Sequence, residues 1–124
     1  MAKGDDLQER FVNLAAAVIL LCRTMPKDDG GSHLAGQLLR SGTAPAPNYA
    51  EARGAESDRD FLHKLRIVQK ELNETEVWLQ VMVTAGLASA ESLESLRDEC
   101  KSLARITTAS IRTLKQRGVG KDPK

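Results

Sequence analysis

Apolar residues in this chain recur at alternating steps of four and three over four separate stretches. That rhythm is the mark of a helix face or a coiled-coil seam, and it constrains the fold more than any other feature. In the first stretch the stripe is Leu7, Phe11, Leu14, Val18, Leu21 and Met25. Beside it runs a second stripe, Val12, Ala15, Ile19 and Cys22, which widens the apolar arc beyond one two-helix seam and predicts contact with more than one neighbour. Pro26 and the run 27–31, ending in Gly30 and Gly31, predict a stop, so the first helix is read over Asp5 to Met25.

The second stretch sets periodicity against local propensity. Ser32 is placed to cap a helix whose face reads Leu34, Leu38, Ser41, Pro45, Asn48 and Ala52. Pro45 and Pro47 remove two backbone donors and crowd the preceding turn, yet the rhythm continues through them. Small residues at these positions admit a close neighbour, and the spacing predicts a kinked but continuous helix up to Gly54. The third helix opens at Ser57-Asp58-Arg59-Asp60, a capping-box-like start with acids in the first turn. Its core stripe is Phe61, Leu65, Val68, Leu72, Thr75, Leu79 and Met82, flanked by a mixed stripe of Ile67, Glu71, Glu74, Trp78 and Val81 where polar contacts between helices are expected. Gly86 stops it, and Ser89 with Glu91 starts a fourth helix carrying Leu93, Leu96, Cys100, Leu103, Thr107, Ser110 and Leu114, closed by Gly118. Four helices joined by short turns predict an all-α, up-and-down antiparallel four-helix bundle over residues 1–118 with long helices and a kinked second helix. Residues 119–124 have little to bury and read as a flexible C-terminal tail.

At 124 residues the chain is the size of one domain, and its 3% of aromatic residues require a core of aliphatic side chains. Eighteen basic and seventeen acidic residues leave a net charge of +1, so no bulk field draws the chain to nucleic acid or to an anionic membrane, and any basic surface must be local. Cys22 and Cys100 show no metal or disulfide spacing and read as reduced thiols of the core. The apolar run from Phe11 to Cys22 is too short to span a bilayer, and Asp5, Asp6 and Glu9 precede it where a secretion signal would carry positive charge. A cytoplasmic protein without membrane contact is the expectation.

The middle of the chain resembles the 23S rRNA intervening-sequence proteins, also called the four-helix-bundle protein family. The resemblance is carried by Gln37-Leu38-Leu39-Arg40-Ser41-Gly42-Thr43, by Asn48-Tyr49-Ala50-Glu51-Ala52, by Asp60-Phe61-Leu62-His63-Lys64-Leu65, by residues 70–75 and by Trp78-Leu79. It is close over the second and third helices and extends to the first and fourth in pattern and length. The resemblance implies a bundle whose second helix runs unbroken through the Ser-Gly-Thr and Asn-Tyr segments. It also implies a ring-shaped homo-oligomer, a homopentamer. Members of the family are encoded within rRNA intervening sequences in some bacteria. A related branch serves as accessory proteins of diversity-generating retroelements, which bind nucleic acid and a reverse transcriptase. Those accessory proteins look strongly basic, whereas this chain is near neutral.

Two candidate sets of functional residues stand out. On the fourth helix Lys101, Arg105, Thr108, Arg112 and Lys115 keep the same rhythm away from the apolar stripe, Arg117 and Lys121 extend it, and no acid falls between Lys101 and Lys121. Such a stripe serves phosphate backbones through counterion release, the more so if a ring repeats it; equally, it reads as a solvated face whose cations suit a helix C-terminus. The second set is Gln37, Arg40, Asn48, Glu51, Glu71 and Glu74. Its carboxylates raise the prospect of acid–base or metal chemistry, but neither His33 nor His63 follows a Glu by three positions as a di-iron bundle requires. A buried Arg–Glu–Asn network fixing helix register or subunit contacts is the favoured reading. Tyr49 and Trp78 are read as packing anchors rather than base-stacking platforms.

Nucleophile motifs and phosphate-cradling glycine loops are absent from the sequence, so no enzyme activity and no cofactor are expected. Two functions follow. The first is a homo-oligomeric assembly or scaffold protein, whose partner is another copy of itself and, through it, another protein. The alternative is a ring that binds RNA or DNA through the basic stripe.

Overall fold

The computed structural model describes residues 4–121 and is built of α-helices, with no strand among them. Helix α1 spans Asp5–Cys22, α2 Asp29–Thr43, α3 Pro45–Arg53, α4 Asp58–Thr84 and α5 Ala90–Gln116. Helices α2 and α3 are the two limbs of one bent helix. Ala44 between them keeps right-handed helical angles (φ −71°, ψ −36°), although it precedes a proline. The bend has a local cause: Pro45 and Pro47 cannot donate to the carbonyls one turn back. Beyond the bend the ladder resumes at Asn48, which donates to the Ala44 carbonyl from its amide N–H (3.2 Å) and from its side chain (2.9 Å). The kinked, continuous second helix read from the 4-3 rhythm is therefore what forms.

The topology is up-down-up-down. Along α4 and α5 partners run in opposite senses: Gln69 meets Thr108, Leu72 meets Cys100 and Glu76 meets Arg97. Along α1 and the bent helix, Asp5 pairs with Arg53, Phe11 stacks on Tyr49 and Val18 sits against Gly42. Helices α1 and α4 occupy opposite corners, their backbones kept apart across the core.

Caps show where local chemistry decides the boundaries. Ser57 and Ser89 each accept from a backbone N–H three residues on, as the start signals predict (both 3.1 Å). The second helix departs from expectation, since Asp28 rather than Ser32 caps it, accepting from Gly31 N at 2.7 Å. The glycine pair therefore lies inside the first turn of α2. A Cβ on Gly31 would stand 2.2 Å from the Pro26 carbonyl oxygen, so the loop backbone occupies the space a side chain needs. Helix α1 also ends three residues before Met25, which stays buried from within the turn.

The interior is aliphatic and divides into two clusters. One gathers Phe11, Leu14, Tyr49, Leu65, Leu72 and Leu103, the other Val18, Met25, Leu34, Leu38, Leu79 and Met82. Between them lie Ser41 and Thr75, both wholly buried. The Thr75 hydroxyl is shared between Ser41 Oγ (3.0 Å) and the Glu71 carbonyl (2.8 Å), and Ser41 donates to the Leu38 carbonyl (3.4 Å), so each polar group is satisfied. Two positions of the predicted stripes shift by one residue. Leu62, not Phe61, is the fully buried side chain at the start of α4, and Ile111 takes the place read for Ser110 on α5. Phe61 packs on the flank of the first cluster.

After α5 the chain turns through Gly118 at φ 87°, with Val119 N donating to the Leu114 carbonyl at 3.1 Å. Val119 packs partly against the first cluster, so the start of the segment read as a tail does bury a side chain. Residues 122–124 of that segment, like residues 1–3 of the predicted bundle, lie outside the described residues.

Candidate functional site

Three surfaces carry chemistry that core packing does not consume. The first joins α2 to α4. Arg40 Nη1 donates to Glu71 Oε2 at 3.0 Å, and Nη2 pairs with Glu74, whose Oε1 also accepts from Trp78 Nε1 at 3.4 Å. Glu71 is buried, whereas the Arg40 side chain is 50% exposed, so the guanidinium closes the network from the solvent side. Of the six residues read as one set, the fold brings only Arg40, Glu71 and Glu74 together. Asn48 turns back on its own helix, and Glu51 forms an outward ion pair with Lys64 at 3.0 Å. Gln37 is half-buried and its side chain makes no hydrogen bond among the described residues. The missing signal is the bend, which turns the residues after Pro45 away from the line of Arg40.

Tyr49 is buried, its ring 5.0 Å from that of Phe11, and burial pushes its hydroxyl pKa upward. Trp78 packs against the second cluster with His33 edge-on at 6.0 Å. Among the described residues no three of His, Cys, Asp and Glu converge as a metal-ligand group.

The second surface is the outer flank of α5. Arg105, Arg112, Lys115 and Arg117 are exposed and hold no ion pair, whereas Lys101 leans on Glu76 Oε1 at 3.6 Å. Glu76 is held mainly by Arg97, which donates to the same oxygen from two nitrogens (3.1 and 2.9 Å). Thr108 is not fully outward: it accepts from Gln69 Nε2 at 2.9 Å, which places the stripe along the seam with α4. That seam adds Arg66 of α4 to the cations of α5 around one groove. Sequence reading missed Arg66. The signal was the seven-residue spacing of Gln69 and Glu76, which marks the α5-facing flank of α4 and puts Arg66 one turn earlier on it. The carboxylates of α5 are confined to its first half, where Glu99 is held below the usual carboxylate range by the hydrogen bond from Arg10.

The third surface is apolar. Val12, Ile19 and Leu20 of α1 are 50, 43 and 60% exposed, and with Ala16 they form a stripe at helical spacing on the face turned away from the core. Val77 and Val81 form a smaller exposed pair on α4. No helix among the described residues is long and apolar enough to cross a membrane.

With this geometry in place, comparison with known proteins locates the chain. No curated protein matches it. A crystal structure of a protein of unknown function, assigned to the S23 ribosomal protein family and coming from Bacteroides thetaiotaomicron, is similar to it. The two share 29% identity and superpose with a TM-score of 0.79 over 84% of this chain and 96% of the other. The family model for 23S rRNA-intervening sequence proteins matches residues 6–109, from the first turn of α1 to the last third of α5. The chain belongs to the family of 23S rRNA-intervening sequence proteins.

Proposed function

We propose that this protein is a non-enzymatic, cytoplasmic assembly module whose first partner is another copy of itself. The observation that carries the reading is the exposed stripe of α1, Val12, Ala16, Ile19 and Leu20, lying opposite the residues that fill the core. A helix apolar on both faces has one face in excess of what a monomer needs, and contiguous exposed apolar surface marks an interaction site. The exposed pair Val77 and Val81 sits on the diagonally opposite helix, which supports head-to-tail association, a mode that closes into rings. Five copies is the number that the family resemblance implies.

Light scattering on the purified protein tests the reading. The expected mass is a multiple of the 13.5 kDa chain, falling to one chain in Val12→Asp plus Leu20→Asp with helicity retained. A wild-type monomer at micromolar concentration would refute it.

A second reading, binding of RNA or DNA, is favoured by one observation: Arg105 and Arg112 lie before the last turn of α5, have no carboxylate partner, and so are not accounted for by the helix dipole or by ion pairing.

A further inference from the structure

Between α4 and α5 an open groove of about 460 Å³ is lined by Arg66, Gln69, Thr108, Arg112, Lys115 and Gln116. Three of these are cations, none is an acid, and none of the three cations has an ion-pair partner. Elsewhere in the bundle Arg10, Arg40, Arg53, Lys64, Arg97 and Lys101 each reach a carboxylate. Like charges gathered in one concavity repel, and an anion seated among them relieves that repulsion.

Thr108 adds an oriented donor. Thr43, Thr75, Thr107 and Thr113 each spend their hydroxyl hydrogen on the carbonyl four residues back. Thr108 makes no such bond; its oxygen accepts from Gln69, which leaves its hydrogen available to the groove. A neighbouring shallow groove of about 360 Å³ shares Thr108 and Arg112 and brings in Arg105. From Arg105 to Lys115 the track is about 15 Å long at 1.5 Å per residue. Four cations, Arg66, Arg105, Arg112 and Lys115, line it, enough to neutralise about four phosphates of one strand, where a single phosphate would fill one groove.

We propose that this α4–α5 groove is a phosphate-binding track for a nucleic-acid strand, in which Arg66 and Arg112 hold the backbone from opposite helices while Thr108 donates between them. The proposal rests on the nucleic-acid reading above and adds to it a site and a residue, Arg66, from outside the α5 stripe.

Fluorescence anisotropy of a labelled single-stranded RNA, titrated between 50 and 200 mM salt, tests it on wild type, Arg66→Gln, Arg105→Gln and the distant control Lys27→Gln. Four phosphate contacts give a log–log salt slope near −3, hence a loss of affinity of roughly 60-fold over that range. Arg66→Gln is expected to reduce the slope by about one and the affinity by about fivefold near 100 mM, with Lys27→Gln unchanged. Wild-type affinity and slope in Arg66→Gln, with both lowered in Arg105→Gln, would overturn the groove and leave the α5 stripe standing. Absence of salt-dependent binding by wild type would remove the nucleic-acid reading and the track together. Thermal protection of wild type but not Arg66→Gln by inorganic phosphate at constant ionic strength, without RNA binding, would assign the groove to a small phosphate ligand and overturn the strand.

Discussion

Replacing Gly42 by alanine sets two effects of opposite sign against each other. Inside a helix alanine is favoured over glycine by about 1 kcal/mol. Against that, a Cβ at position 42 would lie 2.7 and 2.8 Å from the two methyls of Val18 and 3.1 Å from its Cβ. Carbon atoms in good contact sit about 3.5–4.0 Å apart. Val18 is wholly buried, and as a β-branched residue in α1 it has one strongly preferred side-chain rotamer, so its methyls cannot swing aside. Relief requires α1 and α2 to part by roughly 0.8 Å along a packed seam, and overpacking of this kind costs about 1–3 kcal/mol. The steric effect wins: Gly42→Ala is expected to destabilise the fold by about 1 kcal/mol net, a fall in Tm of about 4 °C for a chain of this size. Urea unfolding followed by circular dichroism measures it. In a double-mutant cycle with Val18→Ala, which removes both opposing methyls, a favourable coupling of about 1–3 kcal/mol is expected. Stabilisation by Gly42→Ala, with no coupling to position 18, would show that the approach of the two helices is not what requires glycine.

Two further outcomes follow from titratable groups. Burial, reinforced by the nearby Glu76 and Glu99 carboxylates, pushes the Cys100 thiol up to about 12. At pH 8 its thiolate fraction is therefore about a thousandth of that of an ordinary cysteine. A thiol reagent is expected to modify Cys22 in the native protein and Cys100 only on unfolding; equal rates at both would contradict the buried placement. For the ion pair at 2.7 Å between Arg10 and Glu99, the Glu99 pKa lies below its ordinary value of 4.5, so the stabilisation is complete above that value and is lost as pH falls through the lowered one. Both side chains are more than a third exposed to water or nearly so, which limits the pair to about 0.5 kcal/mol. The stability difference between wild type and Arg10→Ala should thus shrink as pH drops from 7 into the acid range, toward what the Arg10 hydrogen bond to Ser102 Oγ (3.0 Å) contributes, and a constant difference would refute the linkage.

Periodicity made the bundle legible because its helices α4 and α5 are long enough for a 4-3 stripe to repeat several times. Ser57 and Ser89 were readable as caps because capping is local chemistry. What escaped depends on distances the pattern does not contain. Asp28 displaced Ser32 because the loop carbonyl of Pro26 fits only over a glycine at 31, placing that pair inside the helix. Leu62 displaced Phe61, and Ile111 displaced Ser110, because each stripe is two residues wide and neighbouring helices choose between the two. Within the polar set, Arg40, Glu71 and Glu74 met as their spacing allowed, while Asn48 and Glu51 fell beyond the proline bend. Arg66 escaped because the spacing of Gln69 and Glu76 marks a flank of α4 without saying which helix faces it, and the pairing of Gln69 with Thr108 supplies that neighbour.

The hydroxyl pair Ser41 and Thr75 divides the interior at mid-height, with aliphatic clusters on either side and Leu96 packed against both. An interior so partitioned is expected to open as two compartments rather than one. Amide exchange would resolve them as separate cooperative units, the one around Leu38 and Leu79 distinct from the one around Leu65 and Leu103. A contact made at one end of the bundle then changes the opening of that end alone, so a subunit docked along the exposed face of α1 near Ile19 can rigidify one half while the other keeps its own breathing.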